Sequence, residues 1–331
     1  MKTQQFFKCN SSTTTPADNN ESQNKSSPNN DDIAEQQHQK NKNQNQQQNG
    51  DLNPKSPDVN LNSNKNNNSN NSSSSSNNSS SSNNNNNNNI KDMFSIDFSS
   101  WSRNKDELVD FSVSMFEEVG LNKEFNLQHD TLVSYISTVK TFYRDNPFHS
   151  FYHAVTVTQM VFLMISQTEL KNFLSPIEKL SLLIAAISHD LDHPGLNNRF
   201  QINIKSELAL QYDNKSVLEN HHLSQCLRLL RDTKAGQSLL SSLTEDERAI
   251  IFEKVRIMIL ATDMEQHFAY KQKFDELIPI FSWDNQEHRD LLFIMLLKSA
   301  DISNELRSFE ISNKWANALM EEFFAQQYHF A

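Results

Sequence analysis

The stretch that most constrains this chain runs from Ser175 to Gly195. Ser175-Pro176-Ile177-Glu178 has the form of a capping box with proline at the first helical position, and so predicts a helix start. An apolar run, Leu180 to Ile187, follows and ends on Ser188-His189-Asp190-Leu191-Asp192-His193-Pro194-Gly195. A core helix therefore delivers two histidines and two aspartates between positions 189 and 193, and Pro194-Gly195 is expected to end it. Such groups are costly to place against a core unless something pairs with them, and a bound metal ion does so well. One His or Asp alone would read as a solvated helix end. The density here points to metal chemistry.

The rest of the chain agrees with a helical framework. From Ile90 onward the only glycines are Gly120, Gly195 and Gly236, too few for sheets joined by tight turns. The capping-box pattern recurs at Ser216-Val217-Leu218-Glu219 and Thr244-Glu245-Asp246-Glu247. Asn146-Pro147 is expected to cap and start a helix through His149 and His153. Arg248 to Ala261, Leu291 to Ser299 and Trp315 to Phe324 have the apolar spacing of further helices. One all-α domain is expected over residues 92–331. The preceding residues 1–91 are rich in Asn, Ser and Gln, and every residue from Asn66 to Asn89 is Ser or Asn. Such a segment cannot bury enough apolar surface to offset the entropy of ordering, so a disordered low-complexity tail is expected there.

Composition excludes some functions. The net charge of −11 disfavours nonspecific nucleic-acid binding, which needs a basic footprint. Cys9 and Cys226 are the only cysteines, so neither a disulfide framework nor a Cys-based zinc motif is available. The longest compact apolar run, Leu291 to Leu297, falls well short of the roughly 18 residues of a membrane helix. A cytosolic protein without a membrane segment is expected, and nothing in the sequence speaks to its oligomeric state.

Four separated clusters hold ligand-type residues. His149 and His153 lie four apart, a spacing that puts two imidazoles on one helix face. His189 and His193 share that spacing, but Asp190 stands where a zinc protease carries its glutamate, and the helix is expected to stop at once. An aspartate there is better suited to ligating, and its two oxygens could bridge two ions. In Glu219-Asn220-His221-His222 the glutamate has an ordinary role as the third residue of a capping box, and at most one of the adjacent histidines can face a site. Asp301, after the apolar run ending at Leu297, sits at a helix C-terminus, where a cation is favoured over a carboxylate. Together His153, His189, Asp190 and Asp301 form a mixed set suited to zinc, magnesium or manganese. Two such ions would polarise a phosphoryl oxygen and activate water, with His149 placed as general acid. Metal-assisted phosphoester hydrolysis is the expected reaction class.

At these residues the chain closely resembles the class I 3′,5′-cyclic nucleotide phosphodiesterases of the HD-domain superfamily. The resemblance is carried by five ordered blocks: Asn146 to Ala154, His189 to Asn198, Ser216 to Leu223, Ala261 to Met264, and Ala300 to Asn304. It implies an all-α catalytic domain that hydrolyses cAMP and/or cGMP to the 5′-nucleoside monophosphate in cyclic-nucleotide signalling. It further implies His149 as proton donor to the leaving O3′, and a zinc held by His153, His189, Asp190 and Asp301, with Asp190 shared with magnesium or manganese. His193, Glu219 and Thr262 would stand behind these ligands and orient water. Glu322 resembles the glutamate that orients the proton donor, and Asn304 a residue near the base, leaning towards cAMP. Ser150 departs from the family's usual Asn. After Gln326 the chain reads Gln327-Tyr328-His329-Phe330-Ala331 where the family continues Gly-Asp, so the later helices that carry a purine-binding glutamine are expected to be missing. The alternative reading is a truncated, poorly active or inactive metal-binding protein with a regulatory or interaction role. Asp192 acquires no role in either.

Overall fold

The structure, a computed structural model, describes residues 90–327. The tail expected over 1–91 lies outside the described residues, except that Ile90 and Lys91 belong to a helical turn. The described residues are helical, with no strand among them. The long helices are α1 (Lys105–Glu118), α2 (His129–Phe142), α3 (Phe151–Gln167), α4 (Pro176–Ser188), α5 (Val217–Asp232), α6 (Glu245–Leu260), α7 (His267–Leu277), α8 (Gln286–Asp301) and α9 (Phe309–Gln327). Short helical turns join several of them.

The centre is the pair α3 and α4. Both are apolar on almost every face, and a helix of that kind has to be enclosed by others. α3 packs on α1, α4 and α8, while α4 packs on α3, α6 and α8. Leu180, Leu182, Leu183, Ile184 and Ile187 of α4 are fully buried. The capping boxes read at Ser175 and Thr244 are both present. That at Ser175 does more than start a helix. Glu178 also accepts two hydrogen bonds from the Arg289 guanidinium of α8, and Lys254 of α6 lies 3.9 Å away. This buried ion cluster ties the start of α4 to α6 and α8, at the end of the bundle far from the C-terminus of α4.

Two anchors set the opposite end. Arg307, buried, donates to the carbonyls of Ile96, Phe98 and Thr156 and to Gln159 Oε1, which holds the segment before α1 against α3. Trp315, 1% exposed, inserts α9 between Trp101, Phe148 and His153, with ring centroids 4.7, 5.4 and 5.8 Å apart. Glu322 lies two helical turns beyond Trp315 and so faces the same way.

Candidate active site

Three helix ends meet above this core. His153 is in the first turn of α3, His189 caps the C-terminus of α4 with Asp190 beside it, and Asp301 is the last residue of α8. Their donor atoms converge. His153 Nε2 lies 3.0 Å from Asp301 Oδ1, 3.6 Å from Asp190 Oδ2 and 3.3 Å from His189 Nε2. His189 Nε2 lies 3.1 Å from Asp190 Oδ2 and 3.2 Å from Asp301 Oδ1. A cation about 2.0–2.2 Å from each N or O donor would require neighbouring donors about 3.3–3.6 Å apart in a tetrahedral set, close to the 3.0–3.6 Å observed. The spacing fits.

The chemistry of the donors fits as well. The Nδ1–H of His189 donates to the carbonyl of Ala186 at 2.8 Å, leaving Nε2 as the lone-pair atom that faces the cluster. Lone pairs of two imidazoles and two carboxylates pointing at one another would repel unless a proton or a cation sat among them. Burial alone would raise the carboxyls of Asp190 and Asp301, but the charged, protonated form of His189, itself favoured against burial by these two carboxylates, reverses this and holds both well below the usual carboxylate range.

Helix α4 stops sooner than expected. It ends at Ser188, not at Pro194-Gly195. Leu191 is fully buried, and Asp192 adopts a left-handed conformation (φ +58°) with its N–H donating to the Phe142 carbonyl at 2.9 Å. Asp192, which had no role in the sequence, is held at one oxygen by Arg144 Nε (2.6 Å) and pairs at the other with His221 Nε2 (2.8 Å). It joins the segment before His149, the loop after Asp190 and the face of α5.

His149 also differs from expectation. It lies in the turn before α3, which begins at Phe151, so it does not share a helix face with His153. The reason is Glu322. Its Oε1 accepts from the N–H groups of both Phe148 and His149 at 2.8 Å, and its Oε2 accepts from His149 Nδ1 at 2.6 Å. Asn146 does not cap a helix either; its Nδ2 donates to the carbonyls of His149 (2.9 Å) and His193 (2.7 Å). The rings of His149 and His193 stack with centroids 3.9 Å apart and an interplanar angle of 18°. His149, His193 and Glu322 also bring potential ligand atoms together. Stacked rings, however, point their in-plane lone pairs side by side, and Glu322 is already engaged, so this group suits proton handling better than a cation.

A cavity of about 590 Å³ opens over these groups, lined by His149, Asp190, Glu219, Thr262, Asp301 and Asn304 among others. His153, His189 and Glu322 stand behind that wall. Thr262 Oγ1 donates to the Ile259 carbonyl at 2.7 Å, and buried Lys298 donates to the carbonyls of Ala261 and Asp263 on either side of it, at 2.7 and 3.3 Å. Asn304 is buried, and its Oδ1 has no hydrogen-bond partner among the described residues.

At α5 the capping box expected at Ser216 is absent. Ser216 is left-handed (φ +40°), and its hydroxyl donates instead to Asp263 Oδ2 at 2.6 Å. Glu219 thereby turns into the cavity. Of the adjacent histidines, His222 faces the site: its Nδ1–H donates to the Leu191 carbonyl at 2.7 Å, and its Nε2 lies 3.7 Å from Asp190 Oδ1. Burial pushes His222 down to about 4, so it is neutral at pH 7. The sequence reading missed His222, Asn198 and Lys298. His222 and Asn198 lie inside quoted blocks, the one signal that pointed to them.

Comparison with known proteins agrees with this geometry. Residues 148–329 match the 3′5′-cyclic nucleotide phosphodiesterase family, and the chain belongs to that family. It is 64% identical over 237 residues to a protein of Dictyostelium discoideum named cGMP-specific 3′,5′-cGMP phosphodiesterase 3, a match covering 72% of this chain and 51% of that one. It is 39% identical over 229 residues to the high affinity cGMP-specific 3′,5′-cyclic phosphodiesterase 9A of Drosophila melanogaster, covering 69% of this chain and 15% of the relative. The chain thus spans about half, or less, of these relatives. Among solved structures, the phosphodiesterase domain of the RhoPDE fusion protein from the choanoflagellate Salpingoeca rosetta superposes with a TM-score of 0.68 at 35% identity, covering 71% of this chain and 74% of that one. No helix among the described residues is long and apolar enough to cross a membrane.

Proposed function

We propose that this chain hydrolyses the 3′ phosphoester of a cyclic nucleotide, cGMP foremost, to the 5′-nucleoside monophosphate. One observation carries the reading: four donors converge, His153 and His189 from behind and Asp190 and Asp301 on the wall of the cavity that a carboxylate-held imidazole, His149, also lines. A zinc ion on those four donors, with magnesium or manganese sharing Asp190, would supply positive charge to the phosphoryl oxygens and acidify a water molecule. The chain's own groups do the rest. His149 carries a proton at Nδ1 that is committed to Glu322, so its Nε2 is the nitrogen left to protonate O3′ as the P–O3′ bond breaks. Burial opposes charge on His149, but the Glu322 carboxylate, with Asp190 and Asp301, outweighs it and raises the pKa. His193, stacked on His149, is held well below the usual imidazole range by burial and by His149, and so does not compete as a donor. Glu219 and Thr262 Oγ1 would accept hydrogen bonds from the attacking water, and Asn304, whose buried Oδ1 has no partner among the described residues, lines the cavity where the base would lie.

The preference for cGMP is supported by the names of the two relatives above. The test is purified protein with Zn²⁺ and Mg²⁺ or Mn²⁺, given cGMP and cAMP in turn. Turnover of cGMP with the higher kcat/KM is expected. Stoichiometric metal binding without turnover of either nucleotide would overturn the reading in favour of a non-hydrolytic role.

A further inference from the structure

Helix α5 has no cap of its own, because Ser216 bonds to Asp263. Its first turn is satisfied from outside. Asn198, at the start of the short helix Asn198–Asn203, accepts the Leu218 N–H on Oδ1 at 2.8 Å. Its Nδ2 donates to both oxygens of Glu219, at 2.9 and 3.2 Å. Both halves of the amide are committed, which sets its orientation: oxygen to a main-chain donor, nitrogen to a carboxylate. Asn197, next to it, accepts the Phe200 N–H at 2.8 Å, and its own N–H donates to Gln326 of α9 at 3.0 Å. The amide is therefore seated on fixed backbone at both ends, and Glu219, on the cavity wall, is fixed through it.

We propose that Asn198 is a positioning residue for the reaction, holding the Glu219 carboxylate in its orientation towards the cavity through a contact that also caps α5. This rests on the hydrolytic reading above. Around Glu219 stand the carboxylates of Asp190, Asp263 and Asp301, the imidazole of His222, and the cations Arg199 and Lys298. Burial pushes Glu219 up to about 7, with Asp263 and Asp190 adding to the rise, while the Asn198 amide opposes it. The Asn198 N–H donor and a main-chain hydrogen bond both favour the ionised form of this carboxylate.

Asn198→Asp separates the two contacts. It keeps an acceptor for the Leu218 N–H, and aspartate is itself a good cap, but it puts a second carboxylate against Glu219. The expected result is a melting midpoint within a few degrees of wild type and a kcat for cGMP about 10-fold lower at pH 7. KM should change far less, and the acid limb of the kcat profile should move about one unit upward. In a Glu219→Gln background the same change should leave the limb where it is. Carbon-13 NMR titration of the Glu219 carboxyl reads the contact without turnover, and its midpoint should rise in Asn198→Asp. If Asn198→Asp folds poorly, Asn198→Ser, which retains a capping oxygen but no amide N–H, should move limb and midpoint the same way. An active wild type whose limb and Glu219 midpoint stay put in these variants overturns the inference. So does a limb that moves equally in the Glu219→Gln background. A wild type inactive on both nucleotides, whose Glu219 still shifts, overturns the functional reading and supports the contact.

Discussion

The Glu322 carboxylate meets His149 at two points, its main-chain N–H at 2.8 Å and its ring Nδ1 at 2.6 Å, across 173 residues of chain. One side chain from α9 thus sets both where the imidazole sits and which nitrogen remains for substrate. Glu322→Ala should lower kcat about 100-fold, the usual scale for a general acid that has lost its alignment. The pH profile carries the sign. Glu322 raises the pKa of His149, and the donor form exists below that pKa, so its removal should move the alkaline limb to lower pH. An unchanged limb in a steady-state pH profile would sink this assignment.

Metal removal should be visible in stability as well as in rate. With four donors facing one another, the two histidines buried and the two aspartates at the cavity, dialysis against a chelator should abolish turnover and lower the melting midpoint, and Zn²⁺ or Mn²⁺ should restore both. A ligand at 100 times its Kd stabilises by about 2.7 kcal/mol. Asp301→Asn should show neither the loss on chelation nor the gain on metal addition in a thermal melt.

Glu178 makes the opposite prediction, stability without chemistry. Glu178→Ala leaves Arg289 without its buried carboxylate and removes half of a capping box, which should cost about 3–4 kcal/mol in denaturant unfolding. KM for cGMP well below the melting temperature should stay as in wild type. Burial opposes the charge on Glu178, but Arg289 and Ser175 hold its carboxyl below the ordinary 4.5. Its contribution is therefore present above that pH and is lost as pH falls through the lower folded value. In Glu178→Ala, acid unfolding should lose part of its pH dependence in that range.

Gly195 is a position where a methyl group should disable the site. Its φ is +73°, and a Cβ there would lie 3.1 Å from Asn146 Oδ1, the side chain that bridges His149 and His193. Gly195→Ala should destabilise by about 1–2 kcal/mol for the left-handed backbone and lower kcat more than stability alone accounts for. A variant with wild-type kcat would show that the Asn146 bridge tolerates displacement.

Read from the sequence alone, this chain already declares an all-helical domain, the start of α4 at Ser175 and the four-donor set. These follow from local chemistry: caps and apolar spacing act within a few residues, and His189-Asp190 needs only a helix end to aim it. The errors share a cause. Asn146 and Ser216 have the form of helix caps, and each local bond was displaced by a partner from far along the chain, Glu322 in one case and Asp263 with Asn198 in the other. Asp192 looked idle because its partners, Arg144 and His221, are 48 and 29 residues away. Which donors converge was thus written in the sequence. How His149 and Glu219 are held could be decided only by tertiary structure, because a hydrogen bond goes to whichever acceptor packing brings within 3 Å, and packing is not local.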